Sequence, residues 1–380
     1  MTTLRDQFLL DPDIVFLNHG SFGACPIPVF EEYQRWQREL ERQPVKMLGR
    51  EIDGLLREAM KPLAASLNAD TDDCVFVPNA TTGVNIVARS LRLHEGDEVL
   101  TADHEYGACD YTWEFACGQV GARIVRQSVP LPIGSADDFV ERIWAGVTPR
   151  TRVLFLSHIT SPTALLFPLA ELVQRARTAG ILTVIDGAHV PGQVTLDIGA
   201  LDPDFYTGNF HKWLCAPKGS AFLYARKEHQ AGLVPNIISW GWPETDFGLR
   251  QERQGTRDPA SYLATPAALA FQQQHDWDRV RAACHELAVA AGKALSEVSG
   301  CGPLTPDGSW LGQMAAAELP VEPAKASAIK TRLYDVHHVE LPIIIWQDRV
   351  LIRASFQGYN TADDLEVLCA ALAETLDYVS

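Results

Sequence analysis

Short apolar runs recur between residues 74 and 225, and segments with a helical spacing of apolar positions separate them. The run at residues 153–156 is apolar at successive positions, which is typical of a strand buried on both faces of a sheet. Amphipathic segments such as residues 169–179 predict helices that cover those faces. The pattern predicts an α/β fold with a mainly parallel sheet of seven strands, at residues 74–77, 98–102, 122–128, 153–158, 182–186, 205–207 and 221–224.

The two ends of the chain have a different pattern. A long polar helix is predicted from about residue 28 to beyond residue 50. After residue 266 the pattern indicates helix, strands near residues 313–319 and 350–355, and a last helix over residues 363–378. Because 380 residues exceed what one compact core normally holds, we predict two domains. The large domain spans residues 15–265, and a smaller α+β domain combines residues 1–14 with residues 266–380.

Composition and charge exclude several classes of protein. The net charge of −16 opposes binding to nucleic acid, which requires clustered lysine and arginine. No apolar run approaches the length of a membrane helix, and the first residues have no apolar signal core, so a cytoplasmic protein is expected. The eight cysteines form no C-x-x-C pair, and no metal site is predicted. Dinucleotide and P-loop fingerprints are absent from the sequence.

Two charged residues follow two of the predicted strands. Asp186 ends strand 182–186, and Lys212 lies in the polar turn after strand 205–207. Open α/β sheets bind ligands at the carboxyl ends of their strands. A lysine amine can condense with an aldehyde cofactor, and a carboxylate can keep the ring nitrogen of a pyridine protonated. The alternative is that Asp186 caps a turn and that Lys212 is a solvated surface residue.

A third element lies upstream of this pair, where strand 74–77 leads into a small-residue turn and an amphipathic helix. The helix is expected to begin at Thr81, Thr82 and Gly83, directly after Ala80. Its first turn would offer unpaired N–H groups, hydroxyls and the positive end of the helix dipole to a phosphate. An ordinary threonine N-cap is the alternative. Asn209 and His211, which precede the lysine, favour a phosphate site.

In this order and spacing, the motifs resemble those of the class V aminotransferase group, and within it the isopenicillin N epimerase-like branch. The resemblance implies a fold-type I enzyme that uses pyridoxal 5′-phosphate, attached at Lys212, to act on a small amino-acid substrate. The motifs that carry it span nearly the whole chain: LNHGSFG at 17–23, DHEY at 103–106, DGAH at 186–189, NFHK at 209–212, QGTRDP at 254–259 and RASFQGYNT at 353–361.

The resemblance also implies roles for further residues. Tyr106 or His104 would stack on the cofactor ring opposite the lysine, and His189 would contact the ring oxygen or the incoming amino acid. Structural roles in the core or in a turn are the alternatives for these three rings. Gly255 and Thr256 resemble a segment that reaches the phosphate of a neighbouring subunit, which implies a homodimer with shared active sites.

The substrate side of the site is expected to contain an arginine. Arg353 stands in an apolar strand, where a charge requires a partner, and its planar guanidinium matches a substrate carboxylate. A structural ion pair is the alternative. Asn18, His19 and Ser21 are expected to line the mouth of the site, although turn chemistry explains them equally well.

Several reactions remain open at this stage. Removal of the α-proton by Lys212 can lead to epimerisation, to β-elimination of a sulfur group as in cysteine lyases and hercynylcysteine sulfoxide lyases, or to transamination. Epimerisation requires a second acid/base, for which Tyr106, His104 or His189 is a candidate. No cysteine lies between Cys301 and Arg353, which disfavours persulfide chemistry of the cysteine desulfurase type. A non-catalytic, cofactor-binding regulatory protein is the least favoured interpretation.

Overall fold

The fold was analysed in a computed structural model that describes residues 4–379. The first elements form the N-terminal arm and its helices: β1 (Val15–Phe16), α1 (His19–Phe22), α2 (Ile27–Arg42), α3 (Pro44–Lys46) and α4 (Ile52–Ser66), with a π-helical turn at Met47–Glu51. The single long helix that the sequence predicted here is therefore interrupted after Arg42. Gln43 adopts φ −151°, because a residue that precedes a proline avoids the helical region.

The central region alternates strands and helices, as the apolar pattern predicted. Its strands are β2 (Cys74–Val77), β3 (Glu98–Ala102), β4 (Arg123–Gln127), β5 (Thr151–Ser157), β6 (Leu182–Asp186), β7 (Phe205–Asn209) and β8 (Ala221–Ala225). Its helices are α5 (Ala80–Ser90), α6 (Gly107–Val120), α7 (Ala136–Trp144), α8 (Ala170–Thr178), α9 (Ile198–Leu201), α10 (Lys227–Gln230), α11 (Phe247–Glu252), α12 (Ala260–Leu263) and α13 (Thr265–Gln274).

These seven strands form one sheet in the order β2-β8-β7-β6-β5-β3-β4. Strand β8 is antiparallel to both of its neighbours, and the other pairs are parallel. Six strands therefore end at the same edge of the sheet. Buried apolar residues occupy both faces, in one cluster on each side, which explains the continuous apolar runs of the sequence. The predicted α/β class is confirmed.

The C-terminal region contains α14 (Trp277–Ser299), β9 (Met314–Leu319), α15 (Ala326–Asp335), β10 (Val339–Glu340), β11 (Ile343–Trp346), β12 (Arg349–Ser355) and α16 (Ala362–Val379). Strands β11, β12 and β9 form an antiparallel sheet, on which α14 packs. The N-terminal arm joins this region, since β1 pairs with β10 and Phe8 contacts the ring of Tyr359. The division at residue 265 stays a prediction, and residues 1–3 and 380 of its small domain lie outside the described residues.

Helix α5 lies close against β7 because residue 83 is a glycine. A Cβ atom at Gly83 would overlap the Oγ1 atom of Thr207. That hydroxyl is itself held by a hydrogen bond of 2.7 Å to the carbonyl of Phe222, so it has little freedom to move. The glycine therefore sets the distance between the first turn of α5 and the end of β7.

We expect Gly83→Ala to lower the free energy of unfolding by about 1–3 kcal/mol, because overpacking displaces α5 from the sheet. The matched control is Gly118→Ala in α6, where an added Cβ meets no atom within 4 Å. That change should stabilise the protein by about 0.5–1 kcal/mol through helix propensity. Urea denaturation of both variants measures the difference, and equal stabilities would contradict the close packing of α5.

Candidate active site

A cavity of about 330 Å³ opens where the carboxyl ends of β2, β5, β6 and β7 meet. The position is the one at which open α/β sheets bind ligands. Residues at or just beyond the ends of all four strands, together with Tyr106 and the turn of α1, form most of its walls. Nine of the residues predicted from the sequence line it: Ser21, Ala80, Thr81, Tyr106, Asp186, His189, Asn209, His211 and Lys212.

Asp186 is the last residue of β6 and is only 3% exposed. Its Oδ1 atom accepts a hydrogen bond of 2.8 Å from the N–H of Ala188, and its Oδ2 atom accepts the thiol of Cys109 at 3.4 Å. Burial raises the pKa of Asp186, whereas the Ala188 N–H, the Lys212 ammonium and the Cys109 thiol act in the opposite direction. A buried carboxylate in this position would form a strong hydrogen bond with an N–H group that carries a positive charge.

Lys212 lies in the turn after β7, and its Nζ atom is 3.2 Å from Nε2 of His189. Burial and the nearby guanidinium of Arg353 lower the pKa of Lys212 to about 8, although Asp186 opposes the shift. About a tenth of the amine is therefore unprotonated at pH 7, far more than for an ordinary lysine, and this is the form that attacks an aldehyde.

The first turn of α5 forms one wall of the cavity and has few free donors. Asn79 caps the helix by accepting the Thr82 N–H at 2.8 Å, and the side chain of Asn209 accepts the Ala80 N–H at 2.8 Å. The N–H of Thr81 has no partner within residues 4–379. Because this donor lies at the positive end of a helix, the turn is suited to an anion.

His211 lies beside this turn, and its Nε2 atom becomes a hydrogen-bond donor when the ring is protonated. Its Nδ1 atom is 3.0 Å from the carbonyl oxygen of Ser220, so Nδ1 carries the proton. Burial, followed by the charge of Lys212, lowers the pKa of His211 to about 4. A bound phosphate would favour protonation of Nε2. Thr82, by contrast, uses its hydroxyl on Asn79 at 3.0 Å and lies outside the walls of the cavity.

Arg353 is a buried cation without an acidic partner. It lies in β12, is 3% exposed, and makes no ion pair within residues 4–379. Its guanidinium donates to the carbonyl and hydroxyl oxygens of Ser161 and lies 3.4 Å from the hydroxyl of Ser21, while Nε has no partner. Burial lowers the pKa of Arg353 to about 10. An incoming carboxylate would supply the missing negative charge.

The structure does not bring His104 into the cavity. Its ring is fully buried, with Nδ1 2.8 Å from the hydroxyl of Thr163 and Nε2 2.7 Å from the carbonyl oxygen of Val129. The ring of Trp346 lies against it at 4.5 Å. Since both nitrogens have protein partners, the expected catalytic or stacking role of His104 is corrected to a core role. Tyr106, which is 47% exposed, is the ring that lines the cavity.

Asn18 and His19 are likewise not part of the cavity wall, which corrects their expected place at the mouth. Asn18 donates to Glu340 at 2.8 Å. The Nε2 atom of His19 lies 3.0 Å from the carbonyl oxygen of Lys212, and its Nδ1 atom lies 2.9 Å from the hydroxyl of Tyr359. His19 therefore holds the main chain of the lysine. Ser21 of the same turn, which was also predicted at the mouth, does line the cavity, together with Phe22.

Gly255 and Thr256 lie at a second cavity, which they share with Leu48, Ile52 and the 87% exposed Trp240. They do not meet the phosphate turn of their own chain in this structure. The predicted contact of Gly255 and Thr256 with a cofactor phosphate therefore requires a second copy of the protein.

Sequence reasoning missed several residues of the site. Ser157 ends β5 and Ile159 follows it, so both were detectable as residues at the carboxyl end of a strand. Ser161 binds Arg353 partly through its main-chain carbonyl, and a main-chain contact has no sequence signal. Cys109 was not recognised either, because its partner Asp186 lies far away in the sequence.

Comparison with known proteins agrees with this geometry. The family model for aminotransferase class-V matches residues 28–368. The isopenicillin N epimerase of Amycolatopsis lactamdurans is 37% identical over 97% of both chains. A probable chloroplastic L-cysteine desulfhydrase of Arabidopsis thaliana is 30% identical over 95% of this chain and 83% of its own length. The solved structure of the cystine C-S lyase C-DES with cysteine persulfide has a TM-score of 0.83, at 24% identity over 96% of this chain and 98% of that one.

The fold is that of the fold-type I pyridoxal-phosphate enzymes. The chain belongs to the aminotransferase class-V family. The predictions of family, enzyme class and cofactor are thereby confirmed, and the residues present fit that cofactor. Asp186 would hold the ring nitrogen, Lys212 the aldehyde carbon, and Thr81 with His211 the phosphate. Within residues 4–379, no helix combines the length and apolar character needed to span a bilayer.

The lowered pKa of Lys212 predicts a pH-dependent stability of the cofactor-free protein. Below pH 8 both the folded and unfolded lysine are protonated, and the buried charge destabilises the fold. Between about pH 8 and 10.5 the unfolded state holds the proton that the folded state has lost, so stability rises with pH. We expect Lys212→Met to be more stable than the wild type at pH 7 by up to about 3 kcal/mol.

The difference should shrink as the pH rises from 8 and disappear above pH 10.5, where the lysine becomes neutral in the unfolded state as well. Urea denaturation of both proteins at several pH values measures it. The control is Lys61→Met, because Lys61 is exposed and pairs with Glu58 on the surface. A wild-type protein that is more stable than Lys212→Met at pH 7 would contradict the buried, unfavourable charge.

Proposed function

We propose that this protein is a pyridoxal-phosphate enzyme that inverts the α-carbon of an amino acid, as an epimerase of the isopenicillin N epimerase type. The observation that carries the reaction class is the cavity shared by Asp186, Lys212 and the first turn of α5, with Arg353 behind it. The epimerase assignment is supported by the 35–37% identity to two isopenicillin N epimerases over 97% of this chain.

The cofactor, when bound, withdraws electrons from the α-carbon of the substrate and so makes its proton acidic. The protein supplies position and charge. Arg353 orients the substrate carboxylate, and Asp186 keeps a positive charge on the ring nitrogen through its buried carboxylate. Lys212, whose pKa is lowered to about 8, removes the α-proton from one face.

Inversion requires that a proton return to the opposite face. Tyr106 lines the cavity with a partly exposed ring, so its hydroxyl has access to that space. His189 is 3.2 Å from the Lys212 amine and therefore shares the lysine's position rather than opposing it. With His104 buried elsewhere, Tyr106 is the candidate for the second acid.

β-Elimination from a sulfur-containing amino acid is the second candidate function. Its support is the similarity to L-cysteine desulfhydrases, at 30% identity over 95% of this chain. Elimination needs only Lys212 and a leaving group, both compatible with this cavity. No cysteine is among the residues that line it, so a persulfide on the protein is not part of either proposal. Transamination and a regulatory role are the remaining alternatives.

Incubation of the purified holoenzyme with L-amino acids and their sulfur conjugates in deuterated water separates these reactions. The epimerase proposal predicts deuterium at the α-carbon together with inversion, and neither pyruvate nor keto acid. Pyruvate release would favour the lyase, keto acid the transaminase, and no exchange with any substrate the regulatory role. Lys212→Ala should lose the visible absorption of the covalently bound cofactor and all exchange. Retention of that absorption would place the attachment elsewhere.

We also propose that the enzyme is a homodimer with shared active sites. The segment 237–240 exposes Ile237, Ile238 and Trp240, and large exposed apolar residues mark protein interfaces. This segment leads to Gly255 and Thr256, which lie beside Trp240 and not beside the phosphate turn of their own chain. A second copy seated on this surface would bring the two residues to its own phosphate turn.

Complementation between two inactive variants tests the shared site. Thr256→Asp should be inactive, because its charge repels the phosphate of the neighbouring subunit, and Lys212→Ala lacks the attachment amine. Co-expressed together, they should recover about a quarter of wild-type activity, since half of the randomly assorted dimers are mixed and each mixed dimer has one intact site. Activity of Thr256→Asp alone, or no recovery in the mixture, would contradict the proposal.

A cytoplasmic location is proposed as well. All eight cysteines are unpaired, and burial raises the pKa of each thiol. Unpaired thiols are usual in reducing compartments.

A further inference from the structure

A hydrogen-bonded chain of three side chains ends at the amine of Lys212. The indole Nε1–H of Trp213 donates to Nδ1 of His189 over 3.3 Å, and Nε2 of His189 lies 3.2 Å from Nζ of Lys212. Trp213 and His189 are both buried, and His189 also lines the cavity. These two hydrogen bonds therefore link a buried indole to the amine of Lys212.

The chemistry of indole determines which atoms donate and which accept in these hydrogen bonds. An indole nitrogen can only donate, so Nδ1 of His189 has to accept. Burial and the charges of Lys212, Arg353, His19 and His211 lower the pKa of His189 well below its usual value, which keeps the ring neutral. A neutral imidazole whose Nδ1 accepts carries its proton on Nε2. That proton faces Lys212.

We propose that Trp213 is a positioning residue that holds His189 in the Nε2-protonated tautomer, so that His189 presents a hydrogen-bond donor to the Lys212 amine. An ammonium group at Lys212 would bring two donors face to face across 3.2 Å, whereas the neutral amine accepts the bond. The tautomer therefore favours the nucleophilic form of the lysine. The proposal concerns the cofactor-free chain and does not depend on which reaction the enzyme catalyses.

The fold holds Trp213 in place from several sides. Its carbonyl oxygen accepts the side chain of Gln272 at 2.7 Å. Gly192, at φ +88°, lies so close that an added Cβ would overlap the main chain of Trp213, and a Cβ on Gly20 would come within 3.4 Å of the indole. The ring of His19 lies 5.0 Å from the indole. The main chain of Trp213 is therefore fixed and its fully buried indole is packed against His19, which favours a constant orientation of the N–H toward His189.

Other charged groups act on Lys212 but do not depend on Trp213. Arg353 lowers the pKa of Lys212, and Asp186 and Cys109 raise it. Replacing the indole N–H leaves these three groups in place. If loss of the indole donor changes the pKa of Lys212, and if this change is absent once His189 has been replaced, the effect of Trp213 passes through His189.

The test compares the cofactor-free full-length wild type with Trp213→Phe. Long-range nitrogen–proton NMR spectra of histidine-labelled protein report which nitrogen of His189 carries the proton, and pH-dependent amine labelling reports the pKa of Lys212. We expect an Nε2-bound proton in the wild type. Without the donor, Nδ1 can take the proton and Nε2 can accept from an ammonium, so the pKa of Lys212 should rise by about one unit in Trp213→Phe.

Two controls separate this role from a loss of packing. Trp113→Phe removes a buried indole whose N–H has no partner within residues 4–379, and it should leave the Lys212 pKa unchanged. In a His189→Gln background, where no tautomer exists, Trp213→Phe should also have no effect on that pKa. An Nδ1-bound proton in the wild type would overturn the proposal. So would an equal shift in the presence and absence of the His189 ring.

Discussion

The register between β6 and β7 is the constraint on which the site depends. These strands are parallel, and Asp186 at the end of β6 is paired with Thr207 of β7. Lys212 follows only a few residues beyond β7, so the carboxylate and the amine are brought to the same edge by main-chain hydrogen bonds rather than by their own attraction. A slip of one residue would turn Asp186 to the other face of the sheet. The chemistry of the cavity is therefore secured by the backbone of the central strands.

Burial of charge is the second feature that organises the site. Lys212 and Arg353 both lie in the interior, and burial is the largest cause of the lowered pKa of each. The carboxylate of Asp186 opposes only part of the resulting positive charge. A cofactor phosphate and a substrate carboxylate are both anions, and each would relieve an unfavourable interaction that exists before it binds. The site thus contains an excess of buried positive charge, which bound anions would compensate.

Much of this arrangement was accessible from the sequence, for identifiable reasons. Strands 74–77, 98–102 and 182–186 were predicted with the bounds found in the structure, because each apolar run is bordered by polar or small residues. Asp186 and Lys212 were detectable because they follow such runs. Arg353 was detectable because a cation stands within an apolar strand.

The errors have equally specific causes. His104 and Tyr106 both follow β3, and only the tertiary contacts of Thr163 and Val129 show that His104 turns into the core. Asn18 and His19 were placed at the mouth with Ser21, but only Ser21 lines the cavity, whereas Asn18 binds Glu340 and His19 binds the main chain of Lys212. Local sequence does not indicate which of two polar neighbours faces a cavity and which faces a distant main-chain group.

The contact between His19 and the carbonyl of Lys212 has a consequence for any attempt to shorten the protein. The segment that carries His19 also bonds β12, since the N–H of Ser355 donates to the carbonyl of Leu17 at 2.9 Å. Gly23 approaches the main chain of His211 so closely that no side chain would fit. Deletion of the first two dozen residues would thus remove the contacts that hold the main chain of His211 and Lys212. A minimal catalytic fragment cannot be obtained by trimming this end, and fusion partners should be attached ahead of it rather than in its place.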